Sequence, residues 1–383
     1  MDFDQIIDRR STESIKWQRF STDVLPMWVA DMDFRSPEPV IEALHKRVAH
    51  GVFGYGGGPE GLRNAIQIHL SKRHSWDVLD DHIKFISGVV TGFTHAIYSL
   101  TEPGDPIMIQ TPAYPPFLLS PEESNRKLVV NELIQQADGR YIIDFDDFEA
   151  KAASGVKLFI LCNPHNPTGR VFSLEELTKM AEICLRHDIV ICSDEIHADL
   201  VFSENHHIPI ASLALEISQK TVTYFAPSKT FNLAGLSTSV YVAQSPEMRE
   251  TLSQSMRMLL GHPNIMGLNA ALAAYQQGGD WLDQVLVYLE TNRDILVDFV
   301  ATKLPSTKMC TPEGTYLGWL DCRDLDLGMS PQTFFLEHAK VGLNDGSDFG
   351  KAGEGFVRLN FGCPRALLLQ GLTRMQTALR EMR

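Results

Sequence analysis

The stretch YFAPSKTFNLAGLS, Tyr224 to Ser237, carries a single lysine, Lys229, at the end of an apolar run, with Pro227 two residues before it and Gly235 six after. An ammonium at the end of a buried strand is costly unless it is paired or neutral. Such a lysine either snorkels to water or is kept there for its neutral amine. Two common lysine motifs fail at this position. A phosphate-binding loop needs glycine immediately before the lysine and again six before it. The chain has Ser228 and Thr223 there. A serine nucleophile paired with lysine needs serine three residues earlier, where the chain has Ala226. A Schiff-base lysine, whose amine attacks a carbonyl, remains.

The carbonyl cofactor suited to such a lysine is pyridoxal 5'-phosphate, and it makes further demands. Its ring nitrogen needs a carboxylate, so that the ring can draw electrons. Its phosphate needs backbone amides at a helix start. Its ring needs an aromatic neighbour, and an amino-acid substrate needs an arginine fork for its carboxylate. Each part has a candidate. Asp194 closes the apolar run DIVICSDEIH, with His197 three residues on; a turn or a helix cap would use the same aspartate. FISGVVTGFTHAI reads as strand, glycine turn and helix, which would present the Val90 and Thr91 amides. TPAYPPF holds Tyr114 in a stiff proline-flanked loop. CNPHNPTG offers the Asn166 amide, or simply a turn. FVRLNFG alternates, so Phe356, Arg358 and Asn360 point one way and Val357, Leu359 and Phe361 the other; Arg358 is either a substrate anchor or a surface charge.

These residues must be held by a scaffold. Short β-rich runs at Ile83–Ile86, Ile107–Gln110, Lys157–Cys162, Ile189–Cys192 and Thr221–Phe225 alternate with amphipathic segments. Ser173 and Glu176 form a capping-box pattern before a helix with Leu177, Met180, Cys184 and Leu185 on one face. Continuous apolar strands separated by helices predict an α/β fold with a mostly parallel sheet covered by helices on both faces. GVFGYGGGPEG lacks the preceding strand of a dinucleotide fingerprint and reads as a loop carrying Tyr55 before a helix with Leu62, Ile66 and Leu70. Near the start, Ser36 is positioned to cap a helix with Pro37 in its first turn and Val40, Leu44 and Val48 on one face. Residues 281–304 read as one long helix, GTYLGWLDC and GFVRLNFGC as strands, and Leu368, Leu372, Met375, Leu379 and Met382 as the stripe of a last helix. The expected organisation is an arm at 1–50 belonging partly to a small α+β domain, a large cofactor-binding domain at 51–285, and the rest of the small domain at 286–383.

The 383 residues carry a formal net charge of −14, with 44% hydrophobic and 21% charged residues. No basic stripe suggests nucleic acid or an anionic membrane as a partner. No run approaches membrane-span length, and no apolar signal core opens the chain. The six cysteines form no C-x-x-C pair, and several sit in apolar runs. They are expected to be reduced packing residues of a cytoplasmic protein, not zinc ligands. The adjacent His206 and His207 do not have metal-ligand spacing.

NPHNPTG, SDEIH and SKTFNLAG, in that order, resemble the fold-type I pyridoxal-phosphate enzymes of the class I/II aminotransferase superfamily. MWVADMDF, FGYGGGPEGLR and RLNFGCPR resemble its cystathionine β-lyase, or cysteine-S-conjugate β-lyase, branch. The resemblance implies that Lys229 carries the cofactor and shuttles protons. It implies that Asp194 pairs with the ring nitrogen, that Asn166 and His197 contact the ring hydroxyl side, and that Tyr114 stacks on the ring. It also gives the phosphate to Val90, Thr91 and Ser228 and the substrate carboxylate to Arg358. Tyr55 would come from the other subunit of a homodimer with shared active sites. Aspartate-type aminotransferases carry an arginine eight residues after the lysine, where this chain has Ser237; that difference leans toward the lyase branch. The implied reaction releases a thiol, pyruvate and ammonia from cystathionine or a related conjugate. The alternatives are an aminotransferase acting on an amino acid and a 2-oxo acid, and a binding protein built on the same scaffold without turnover.

Overall fold

The computed structural model describes residues 1–255 and 260–382. Seven strands make the central sheet: β1 (Ile83–Ile86), β2 (Pro106–Thr111), β3 (Lys127–Glu132), β4 (Leu158–Cys162), β5 (Val190–Asp194), β6 (Thr221–Phe225) and β7 (Ser239–Ala243). Their order is β1-β7-β6-β5-β4-β2-β3. Pairings from β3 across to β6 are parallel, whereas β7 runs antiparallel to both β6 and β1. The five expected strands are all present, shifted by a residue or so at their ends. β3 and β7 were not anticipated. KLVVNE is polar at both ends.

The central parallel strands are buried on both faces because alternate side chains feed two separate cores. Ile107, Ile109, Leu158, Ile160 and Cys192 pack with Phe93, Ala96 and Ile97 on one face. Met108, Phe159, Leu161 and Ile191 pack with Leu177, Met180, Ile183 and Cys184 on the other. The first group covers the sheet with helix α3 (Val89–Leu100) and the second with α5 (Leu174–Arg186), numbering from α1 (Glu38–His50), α2 (Leu62–His74) and α4 (Pro115–Glu123). The capping box of α5 forms as expected, with Ser173 and Glu176 each satisfying the other's backbone amide. In α2, Leu62, Ile66 and Leu70 are buried.

The remaining chain builds a second sheet from β8 (Lys308–Met309), β9 (Leu317–Asp321), β10 (Asn344–Asp345) and β11 (Phe356–Asn360), antiparallel in the order β8-β9-β11-β10. The long helix Gly279–Lys303 and the final helix Arg365–Glu381 pack on it. Their buried Leu289, Leu296, Leu368, Leu372 and Met375 share one core with Phe3, Leu25, Met27 and Phe34 from the other end of the chain. Leu25 and Pro26 also pair in parallel with Val341 and Gly342. Three local expectations are corrected. Pro37, not Ser36, stands at the N-cap of α1, because the Ser36 hydroxyl is donated to the Asn232 carbonyl. Val48 is exposed on α1 and Met382 beyond the last stripe position, each lying past the end of its core contact.

Candidate active site

The C-terminal ends of β4, β5 and β6 open on one cavity of about 250 Å3. Carboxyl ends of parallel strands are the usual binding edge of such sheets, because the loops that leave them diverge there. Asp194 is the last residue of β5 and is buried. Lys229 lies on the short helix Pro227–Thr230 that follows β6. Asn166 follows β4, Tyr114 precedes α4, and Val90 sits in the first turn of α3. Gly88, at φ 124°, turns the chain from β1 into α3, a conformation that side chains disfavour. The first amides of α3 are thereby left without intrahelical acceptors. Val90, Tyr114, Asn166, Asp194, His197, Ser228, Lys229 and Arg358 all line this cavity. Thr91 does not contribute to the lining, although its amide belongs to the same first turn. Tyr55 is fully exposed and lies outside the lining.

Burial governs the electrostatics here. It pushes the Asp194 carboxyl up to about 7, although a hydrogen bond from the Ile196 amide and the charge of Lys229 pull the other way. Burial, then the charge of Arg358, brings Lys229 down to about 8. The lysine is thus far easier to deprotonate than in water, as a Schiff-base nucleophile requires. Burial, with Lys229 and Arg358 nearby, holds His197 well below the ordinary imidazole value. Desolvation also draws Arg358 down to about 10.

Arg358 is a buried residue and not a surface charge. Only 4% of it is exposed. It donates to Asn166 Oδ1 at 2.8 Å, to Asn344 Oδ1 at 2.8 Å and to the Trp28 carbonyl at 3.2 Å. The Phe349 ring lies 4.8 Å from its guanidinium carbon. Asn344, on β10, and Phe349, just after it, meet the arginine only through folding, because they stand fourteen and nine residues before it. Trp319 on β9 belongs to the core. It stacks on Phe356 at 5.0 Å and donates to the Tyr141 hydroxyl.

The segment MWVADMDF roofs the cavity. Lys229 Nζ donates to the Ala30 carbonyl at 2.5 Å, and the Tyr316 hydroxyl donates to the same oxygen at 2.9 Å. Two asparagines clamp the segment. Asn360 Nδ2 donates to the carbonyls of Val29 and Asp31, and Asn232 Nδ2 to those of Met32 and Phe34. Two aspartates of the segment are held by basic residues nearer the N-terminus: the buried Lys16 pairs with Asp33 at 2.7 Å, and Arg9 bridges Asp31 and Asp33 at 2.6 Å each. Burial alone would raise Asp33, but Lys16 and Arg9 hold it below the usual carboxylate value. Sequence reasoning missed the roles of Ala30, Asn232 and Asn360, since backbone carbonyls and their asparagine partners carry no residue-type signal.

Three buried polar atoms at the cavity find no partner among the described residues: His197 Nδ1, Ser239 Oγ and Arg358 Nε. A buried polar atom left unpaired costs about 1–3 kcal/mol, so the site is built for a polar ligand. A carboxylate, a primary amine, an exposed helix start and an arginine around one cavity fit pyridoxal phosphate with an amino acid.

Comparison with known proteins agrees with this geometry. Residues 22–375 match the family described as aminotransferase class I and II. The chain belongs to that family. Within it, the chain is 43% identical to cystathionine beta-lyase PatB of Bacillus subtilis, over 99% of this chain and all of that one. Its fold superposes on cystalysin from Treponema denticola, a structure containing pyridoxal 5'-phosphate, with a TM-score of 0.96, 34% identity and coverage of 100% and 99%. It is equally close to a putative aminotransferase from Clostridium difficile bound to the same cofactor, with a TM-score of 0.95, 38% identity and 99% coverage of both chains.

Proposed function

We propose that this protein is a pyridoxal-phosphate-dependent carbon–sulfur β-lyase that converts cystathionine or a related cysteine S-conjugate to a thiol, pyruvate and ammonia. The observation that carries the reading is the convergence of Lys229, Asp194 and Arg358 on one cavity with unpartnered polar atoms. Full-length likeness to a cystathionine β-lyase selects the lyase branch. When bound, the cofactor supplies an aldehyde for amine exchange and an electron-poor ring that stabilises negative charge at the substrate Cα.

The chain's own residues do the rest. Lys229 offers an amine close to neutral, which bonds the cofactor and, once displaced by substrate, accepts the Cα proton at Nζ. Asp194, as the anion facing the ring nitrogen, keeps a proton on it; that field is in place before the Cα proton leaves. Arg358 holds the substrate carboxylate with its fork. The α3 amides at Val90 and Thr91, with Ser228, would hold the phosphate. Tyr114 would pack against the ring, and Asn166 and His197 would serve its hydroxyl side. The pair left at Cα would form the Cα–Cβ double bond as the thiolate leaves Cβ with the carbon–sulfur bonding pair, and hydrolysis of the released enamine would give pyruvate and ammonia.

Tyr55 is assigned to the site of a second copy in a homodimer, a reading supported by its complete exposure. Residues 51–285 are assigned the cofactor, and 1–50 with 286–383 the small domain. Six unpaired cysteines favour a reducing, cytoplasmic setting. No helix among the described residues is long and apolar enough to cross a membrane.

The test is steady-state incubation with cystathionine and no 2-oxo acid. Sustained pyruvate release, abolished in Lys229→Ala along with the absorbance of the lysine-bound cofactor, is expected. Amino transfer that begins only when 2-oxoglutarate is added would make the protein an aminotransferase instead.

A further inference from the structure

Behind the cavity, on the far side of Lys229, lies a second polar cluster that the reaction does not use. Asp199 Oδ1 accepts from His69 Nε2 at 2.8 Å and from His74 Nε2 at 3.0 Å. Its other oxygen, Oδ2, accepts from the Thr230 hydroxyl at 2.8 Å. The Asp199 side chain is 8% exposed, those of His69 and His74 are 9% and 5%, and Thr230 is buried.

The four residues come from three different elements. Asp199 lies five residues beyond Asp194, on the turn that also carries His197. Thr230 is the residue after Lys229 and the last of its short helix. His69 and His74 are on α2, whose start follows the loop holding Tyr55. A four-residue helix has no cooperative stability of its own, so something outside it must fix the direction of Lys229. Hydrogen bonds to a largely buried carboxylate are stronger than neutral ones and geometrically specific. We propose that Asp199 is a positioning residue: through Thr230 it fixes the Lys229 helix relative to the Asp194–His197 turn, and His69 and His74 hold the carboxylate in the orientation that does so. The proposal rests on the cofactor reading of the cavity, but not on which reaction follows.

A metal ion is the competing occupant, because donor atoms of His69, His74 and Asp199 lie within 4.8 Å of one another. Zinc is held at roughly 2.0–2.1 Å in near-tetrahedral geometry. An ion at that distance from Oδ1 and each nitrogen would be squeezed to about right angles across the 2.8 and 3.0 Å edges. Both of those separations are ordinary hydrogen-bond lengths. The geometry therefore favours two imidazole N–H donors over an ion.

The test uses holoenzyme carrying Thr230→Val, which keeps the side-chain shape and removes the hydroxyl, with Thr230→Ser as the conservative partner and Asp199→Asn beside them. Thr230→Val is expected to weaken cofactor retention and lower kcat by about tenfold each, the worth of one hydrogen bond to a charged group. KM is expected to change little, because Arg358 is untouched, while the pH midpoint of the bound cofactor's absorbance shifts. Thr230→Ser should restore all three. The absorbance and retention readouts hold whether the enzyme is a lyase or an aminotransferase, so a failure of the lyase assay leaves this test intact. A Thr230→Val protein that melts earlier but keeps the native kcat, cofactor affinity and absorbance midpoint would reduce the contact to a structural one. One zinc per chain in the purified holoenzyme would overturn the hydrogen-bonded link.

Discussion

Lys229 and Asp194 are tuned in opposite directions by the same burial, and the cofactor-free protein should record both. Burial raises the folded Asp194 carboxyl to about 7, against roughly 3.9 in an unfolded chain. Between those values the native state holds a proton that the unfolded state has lost. Its contribution to stability is therefore full below about pH 4 and is lost as pH rises toward 7. Lys229 is lowered to about 8, against roughly 10.4 unfolded. There the unfolded chain holds the extra proton, so stability rises with pH between the two values. Urea midpoints of cofactor-free protein across this range should show a minimum between the two limbs. Asp194→Asn should flatten the acidic limb and Lys229→Met the alkaline one. An acidic limb unchanged in Asp194→Asn would show that the carboxyl is not desolvated as the structure has it.

Helices matter here for where their ends fall. The first turn of α3 reaches the cavity because the helix lies close against the sheet, and Gly92 permits that approach. A Cβ at Gly92 would stand 2.4 Å from Cε1 of the buried Tyr224 ring in β6. The ring is fixed within the sheet, so the helix would have to lift away, carrying Gly88 and the amides of Val90 and Thr91 with it. Gly92→Ala is expected to cost about 1–3 kcal/mol of stability, as overpacking generally does. It should also weaken cofactor binding more than it changes KM. Denaturation midpoints and cofactor titrations would check this, and a variant with native cofactor affinity would show that the α3 terminus does not hold the phosphate.

At the scale of the whole molecule, the site is assembled from both ends of the chain. The segment 28–34 hydrogen-bonds to Lys229 and Arg358, which lie 199 and 330 residues away from their partners. The buried Lys16 pairs with Asp33 of that segment. Replacing one member of such a pair leaves an uncompensated charge and is far costlier than the pair is worth. The exposed Tyr55 extends the same logic to a second copy. If each site takes Tyr55 from its neighbour, Tyr55→Ala and Lys229→Ala should both be nearly inactive alone. Mixed and allowed to exchange subunits, they should recover roughly one quarter of native activity, because half the dimers hold one intact site in two. No recovery on mixing would place Tyr55 in its own chain's site or outside catalysis.

The parallel sheet was legible because apolar runs and amphipathic spacing are local properties that follow from backbone geometry. Lys229, Asp194 and Asn166 were legible for a related reason: each sits at or just beyond the end of a strand, where chemistry and chain punctuation coincide. What the sequence left open was the fate of Arg358, whose alternating strand pattern fits a surface charge as well as an anchor. Only the closure of β11 against β9 and β10, bringing Asn344 and Phe349 to it, buried the guanidinium. The antiparallel β7, the roof of Ala30 held by Asn232 and Asn360, and the Asp199 cluster were likewise decided by tertiary structure. They consist of backbone carbonyls and pairings between distant residues, and no local periodicity encodes a contact between residues that only the completed fold makes neighbours.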